Sequence, residues 1–96
     1  MDREFEWDPA KARSNERKHG ISFETATFVF DDPYSLLELE GIEGGEYRWQ
    51  TLGMAGDAPV LLVVHTIRDE DVEIVRIISA RRADRSERKR YERQAS

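Results

Sequence analysis

With 96 residues, 39% of them hydrophobic and 36% charged, the chain reads as a single domain, 1–96, able to bury one sheet face under two or three helices, and a large internal ligand cavity is excluded. The absence of cysteine excludes a disulfide framework and a thiolate metal site, and suits a reducing cytoplasm. Net charge is −5, but the segment Arg81 to Arg93 holds seven bases against three acids, net +4, and leaves −9 on the remainder, so the acidic total does not exclude a nucleic-acid partner.

Taken in chain order, Glu4-Phe5-Glu6-Trp7 alternates polar and apolar and predicts a short strand. Asp8 and Pro9 follow as N-cap and first residue of a helix that runs to His19 and stops at Gly20. Ser22 caps a second predicted helix, Phe23 to Phe30, in which Phe23, Ala26, Thr27 and Phe30 share a face; Asp31-Asp32-Pro33 closes it. The period then changes to two. Strands are predicted over Tyr34 to Glu40 and Tyr47 to Met54 with a turn at Gly41 to Gly45, then over Val60 to Arg68 after the turn Gly56-Asp57-Ala58-Pro59. Beyond Asp69-Glu70-Asp71, Val72 to Ala80 alternates again, with Ile74, Arg76 and Ile78 on one face and Val75, Ile77 and Ser79 on the other. Asp84 and Glu87 form a capping-box pattern that opens a charged helix, Arg85 to Gln94. The order predicts an α+β fold: a small, mostly antiparallel sheet with N-terminal helices packed on one face and a C-terminal helix. Trp7, Phe23, Phe30, Val63, Val75 and Ile77 are the expected core. The longest apolar run, Val60 to Val64, is too short to span a bilayer, and the acidic start Met1-Asp2-Arg3-Glu4 lacks the features of a signal peptide, so a soluble, unexported protein is expected.

Metal chemistry finds little support. The two histidines, His19 and His65, lack partners at ligand spacing, Asp69-Glu70-Asp71 reads as a hairpin turn, and no cofactor is expected. The six serines, Ser14 to Ser96, lack a glycine-flanked elbow for nucleophilic catalysis. A more promising set joins the strand ends to the last helix. Arg76 is expected to face His65 across the hairpin, setting an imidazole beside a fixed positive charge; Arg81 and Arg82 follow the strand; and Glu87, Arg88 and Tyr91 share a helix face. Forked arginine donors suit phosphate, and the set suits RNA cleavage by its own 2′-hydroxyl, which needs a base, cations for the crowded phosphorane and an acid for the leaving oxygen. The plainer readings are a structural histidine, a solvated terminal helix, and Arg76 paired with Glu73 or with an acid on a neighbouring strand.

The blocks Phe5-Glu6-Trp7-Asp8, Lys11, Asn15, Lys18-His19-Gly20, Phe23, Ala26, Val29-Phe30-Asp31-Asp32, His65-Thr66, Arg76-Ile77-Ile78-Ser79-Ala80-Arg81, Glu87-Arg88 and Tyr91 together resemble the BrnT family of type II toxins. The resemblance runs from Phe5 to Tyr91 and rests on the order and spacing of the blocks. It implies a RelE-like fold, ribonuclease activity that blocks translation, and a complex with a BrnA-type antitoxin, through which operator DNA is contacted only indirectly. His65, Arg76, Arg81, Arg82 and Tyr91 are the candidate catalytic residues, and Lys18, His19, Arg85, Arg88 and Lys89 the candidate contacts to RNA, free or on the ribosome. The antitoxin is expected to cover the basic surface of Arg81, Arg82 and the terminal helix. The alternatives are a non-enzymatic binding module and a gyrase-directed toxin on the same fold.

Overall fold

A computed structural model describes residues 2–57 and 59–95; Met1, Ser96 and Ala58, the last within the predicted turn at 56–59, lie outside the described residues. Five strands, β1 (Arg3–Glu6), β2 (Leu36–Glu43), β3 (Glu46–Met54), β4 (Val60–Asp69) and β5 (Glu73–Arg82), accompany three α-helices, α1 (Pro9–His19), α2 (Phe23–Thr27) and α3 (Arg85–Ala95). The strand order is β1-β5-β4-β3-β2. Three antiparallel pairings run from β2 to β5, and β1 joins β5 in parallel, so the sheet is mixed at one edge.

The helix ends follow local chemistry. The Asp8 carboxylate accepts from the Ala10 amide at 2.9 Å, and the Ser22 hydroxyl accepts from Thr25 at 3.0 Å, each relieving an orphan donor of a first turn. Gly20 takes the left-handed conformation (φ 71°) that ends α1, its N–H donating to Glu16. At α3 the capping box is reciprocal: Glu87 N–H donates to Asp84 and Asp84 N–H to Glu87, both at 2.8 Å.

Most predicted strand ends shift by one to three residues, β5 running on through Arg82, and two differences change the local structure. The segment Phe23 to Phe30 is one helical turn and a half followed by a 3₁₀ turn, Phe28–Asp31. Its fully buried residues, Phe23, Ala26 and Val29, recur every three positions, the period of the tighter helix. The hairpin turn after β2 is Gly44-Gly45 rather than Gly41 to Gly45; both glycines have positive φ (58° and 79°), as a two-residue loop between twisted strands requires. Gly41 instead lies inside β2 beside a register shift.

The sheet is covered on both faces. On one, Phe23, Ala26 and Val29 bury Leu61, Val63, Val75, Ile77 and Ala80, with Trp7 and Phe30 packed at the margin and partly exposed. A side chain at Gly53 would meet Val29 at 2.8 Å, so the close seat of the 3₁₀ turn depends on that glycine. On the other face Tyr91 of α3, with Ala83 just before the helix, packs against Leu52, Val60 and Leu62. Burying each large apolar side chain contributes roughly 1.5 to 3 kcal/mol.

α1 is almost wholly polar and is fastened differently. The buried Asn15 amide donates to Ala80 O (2.8 Å) and Ile21 O (3.1 Å), while its oxygen accepts from Ala80 N (3.1 Å). Because β1 pairs only with Glu73 to Arg76, the edge of β5 beyond it lacks a strand partner, and the Asn15 amide supplies both halves of the missing ladder contact.

Candidate active site

The β4–β5 loop fixes which side chains can meet. Asp69 pairs with Glu73 and the register continues back to Thr66 opposite Arg76 and His65 opposite Ile77. His65 and Arg76 therefore point to opposite faces, and the expected His65–Arg76 pair does not form. Further along, Val64 pairs with Ser79, which makes Ile78 an extra residue. This bulge returns Ala80 to the face under α2, so the alternation predicted through Val72 to Ala80 breaks there.

His65 is fully buried. Its ring meets Phe30 edge-on at 4.9 Å; one ring nitrogen lies 2.8 Å from the Thr51 hydroxyl and the other 3.3 Å from the Thr66 carbonyl. A carbonyl can only accept, so Nδ1 carries the proton and Nε2 accepts from Thr51. Burial pulls its pKa down to about 4, against a smaller upward pull from the Thr66 carbonyl, and the imidazole is neutral near pH 7. It forms one wall of a 130 Å³ cavity whose lining includes Phe30, Thr51 and Val75.

Tyr91 is likewise buried. It is 6% exposed, and its hydroxyl donates to Asp32 at 2.5 Å; burial first, then that hydrogen bond, raise its pKa to about 12. Asp32 also accepts from the amides of Tyr34 and Met54 (2.9 and 2.8 Å). Burial would raise the Asp32 pKa, but these three donors outweigh it and hold the carboxylate below its usual range. The cluster joins α3 to the β2 entry and the end of β3.

Arg76 lies on the reverse face, on the half of the sheet that α3 leaves open. Its Nη1 donates to Glu6 Oε2 at 2.6 Å, and Arg68 Nη2 donates to the other oxygen, Oε1, at 2.8 Å. One carboxylate thus aligns two guanidinium groups from adjacent strands. The side chains of Glu6, Arg68 and Arg76 stay 34%, 45% and 44% exposed, so the group is open to a ligand. The hydrogen bonds from Arg68 and then Arg76 hold Glu6 below the ordinary glutamate range. Arg68 also binds Glu70. Arg48, one residue before the strand partner of His65, faces the same way as Arg76 and is paired with Glu43 at 2.8 Å.

The remaining candidates occupy separate places. Arg81 forks onto both oxygens of the buried Glu87 at 2.9 Å, and Arg82 ends β5, exposed. Arg85 and Lys89 line a surface groove of about 520 Å³ with Arg90 and Arg93, while Arg88 donates to the Ala83 carbonyl. Lys18 and His19 line a 210 Å³ cleft between α1 and β5, with Lys11 and Ser79. Of the residues singled out from sequence, the fold brings together Lys18 with His19, and Arg85 with Lys89; it does not bring His65 or Tyr91 to Arg76. Sequence reasoning missed Arg48, Arg68 and the role of Glu6. The available signal was loop parity: a loop of residues 70–72 pairs even with even positions, which sets Arg68, Thr66 and Arg76 on one face. Among the described residues no group of three or more His, Asp or Glu could hold a metal ion, and no helix is long and apolar enough to cross a membrane.

No curated protein matches the chain. Among solved structures, the crystal structure of the Brucella abortus ribonuclease toxin BrnT superposes with a TM-score of 0.61 at 18% identity, covering 88% of this chain and all of that one, a likeness of fold. The model of the family described as "Ribonuclease toxin, BrnT, of type II toxin-antitoxin system" matches residues 7–87. The chain therefore belongs to the BrnT family of ribonuclease toxins of type II toxin–antitoxin systems.

Proposed function

We propose that this toxin cleaves RNA without a metal ion, on the open sheet face that carries Glu6, Arg68 and Arg76, and so arrests translation in the cytoplasm. The observation that carries this reading is the shared carboxylate: two planar, permanently charged donors are held side by side, each by one nitrogen, on the two oxygens of Glu6. A phosphate entering between them would take over those donors. As the arginines turn to it, Glu6 loses the contacts that hold its pKa down and becomes a better base for the 2′-hydroxyl proton. The 2′-oxygen then bonds to phosphorus, the bond to the 5′-oxygen breaks, and the leaving oxygen takes its proton from the solvent that reaches this face. The arginines stabilise the five-coordinate phosphorane. His65 has no part in this scheme, because it lies buried on the other face, and Tyr91 none, because its hydroxyl is committed to Asp32.

Arg82, Arg85, Arg88 and Lys89 are assigned to the flanking phosphates of the RNA, with Lys18 and His19 at the α1 cleft, as sequence-independent contacts. Arg81 serves chiefly to hold Glu87. A BrnA-type antitoxin is the partner, and operator DNA is reached only through it. The test is cleavage of a synthetic RNA in excess EDTA, with the ends analysed. Products carrying 2′,3′-cyclic phosphate and 5′-hydroxyl ends are expected. Activity that disappears with the chelator and returns with magnesium or manganese would overturn the metal-free mechanism.

A further inference from the structure

Among the described residues five polar or charged side chains are buried: Asn15, Thr51, His65, Thr66 and Glu87. Four of them are tied into the protein, Asn15 to the Ala80 backbone, Thr51 and His65 to each other, and Glu87 to Arg81 and the Asp84 amide. The fifth is not. Thr66 is 4% exposed, and its hydroxyl has no hydrogen-bond partner among the described residues; the atom that faces His65 is its backbone carbonyl. Because no fully buried side-chain oxygen or nitrogen of the described residues lacks a partner, the hydroxyl belongs to the little of Thr66 that reaches the surface. Polar groups this deep are nearly always hydrogen-bonded, and valine, of the same shape, would serve the strand without a hydroxyl to satisfy.

The strands fix where that hydroxyl opens. Thr66 stands directly opposite Arg76, with the two Cβ atoms of such a pair about 4.5 to 5.5 Å apart. Arg68 is two residues along β4 and so on the same face. Arg48 stands on that face in β3, on the other side of β4 from Arg76. α3 packs on this face over Leu52, Val60 and Leu62, and Thr66, four residues past Leu62, lies beyond it. Three strands therefore each bring one arginine around a short hydroxyl. Each arginine is held by a glutamate, Arg48 by Glu43, Arg68 by Glu6 and Glu70, and Arg76 by Glu6. An anionic oxygen is the ligand atom that can accept from the hydroxyl and face the guanidinium groups at the same time.

We infer that Thr66 is a further catalytic residue for RNA cleavage: its hydroxyl donates to a non-bridging oxygen of the scissile phosphate and seats that phosphate over β4, beside Arg76. This rests on the reading above that RNA is cut on this face, and names the group that fixes the phosphate there. The arginines reach the site on long side chains, whereas threonine is short, stiff at χ1 and held by a central strand. As the 2′-oxygen adds to phosphorus, charge grows on the non-bridging oxygens. The hydrogen bond from Thr66 strengthens toward the phosphorane, so it lowers the barrier more than it tightens binding.

The experiment compares the parent chain with Thr66→Val and Thr66→Ser on the synthetic RNA of the preceding test, measuring kcat per folded molecule, KM and the denaturation midpoint. Cleavage of the two phosphorothioate diastereomers at the cleaved linkage is timed in parallel. Thr66→Val should lower kcat at least about tenfold, with KM within about threefold of the parent. Its midpoint should be no lower than the parent's, because the hydroxyl it removes bonds to nothing in the free protein. Thr66→Ser keeps the hydroxyl and should stay within about fivefold of the parent in kcat. The rate ratio of the two diastereomers should shrink in Thr66→Val, since sulfur at the contacted oxygen then has no such contact to lose. A smaller fall in kcat for Thr66→Val, a larger one for Thr66→Ser, or an unchanged diastereomer ratio would overturn the assignment. So would a lowered midpoint in Thr66→Val, which would give the hydroxyl a structural role. Undiminished cleavage by Arg76→Ala would instead remove the RNA from this face and take this inference with it, an outcome distinct from a protein that needs Arg76 and is indifferent to Thr66.

Discussion

On the face of the sheet under α2, His65 is enclosed by Phe30 and Thr51 and held neutral by burial; on the reverse face, Glu6, Arg68 and Arg76 keep a third or more of their side-chain surface exposed. His65 and Arg68 belong to the same strand, β4, three positions apart, and that odd spacing puts them on opposite faces. The contrast shows that chemistry is decided here by which face a residue occupies more than by its type. The residue whose ordinary pKa best suits proton transfer has been turned into core, and two arginines, which keep their charge, stand on the open surface beside Glu6. The contrast also makes a demand: substitutions on the helix-covered face should change stability and spare the turnover of folded molecules, and those on the open face should do the reverse.

The largest effect expected is on the covered face. Phe23 is fully buried among α2, β4 and β5 and meets Trp7 edge-on at 5.9 Å, so Phe23→Ala should cost about 3 to 5 kcal/mol, read as a lowered denaturation midpoint. Phe30, packed at the margin, should cost less. A Phe23→Ala protein with an unchanged midpoint would contradict this packing.

On the open face, Arg76→Ala should slow RNA cleavage by roughly 10² to 10³, as loss of one preorganised donor does, and should leave stability within about 1 kcal/mol because the pair with Glu6 is exposed. Arg76→Lys should recover little, since a point charge cannot replace the two-pronged contact. Full cleavage by folded Arg76→Ala would remove the phosphate site from this face and end the contrast.

His65 sharpens the comparison through pH. Its folded pKa, about 4, lies below the ordinary value of 6.5, so between those values the unfolded chain binds a proton that the folded chain refuses. Its contribution is therefore complete above about pH 6.5 and is lost as pH falls toward 4, on the order of 3 kcal/mol in all. The carboxylates of Glu6, Asp32, Glu38 and Glu87, all held below their usual range, add their loss further down, below their own unfolded values. Urea titrations from pH 7 to 5 should show a slope that His65→Gln abolishes, and the pH profile of cleavage by folded protein should be unmoved. A catalytic step in that profile that vanishes with His65→Gln would return the histidine to the mechanism.

How much of this was legible in the sequence follows the range of the interactions. Asp8, Gly20, Ser22 and the Asp84–Glu87 pair act within four residues of themselves, and each marks the helix end it was expected to mark. The family blocks also carried the fold class and the ribonuclease identity. The candidate site needed more: the pairing of Glu6 with Arg76 spans 70 residues and depends on a four-residue strand joining β5 in parallel, which no local pattern announces. The register error at His65 was a matter of one residue, and in a strand one residue reverses the face. Asn15 stood in a family block without a visible reason, because its partner, the Ala80 backbone, has no side-chain signature.

The smallest expected effect decides the standing of Arg81, which was read from sequence as a phosphate ligand and which the fold fastens to Glu87. Both guanidinium nitrogens face both carboxylate oxygens at 2.9 Å, and Glu87 is 8% exposed, so removing Arg81 leaves a largely buried carboxylate without its main partner. The side chain of Arg81 is itself 37% exposed, which discounts the loss: Arg81→Ala should cost about 1 kcal/mol, Glu87→Gln a similar amount, and the double substitution little more than either alone. Near-additive single effects would mean that the two do not act as a unit. Cleavage per folded molecule should fall less than tenfold in Arg81→Ala, against the hundredfold or more expected for Arg76→Ala. If Arg81→Ala instead matches Arg76→Ala in lost cleavage while its stability is unchanged, the phosphate site extends across β5 to the start of α3, and Glu87 is a positioning residue for a catalytic arginine.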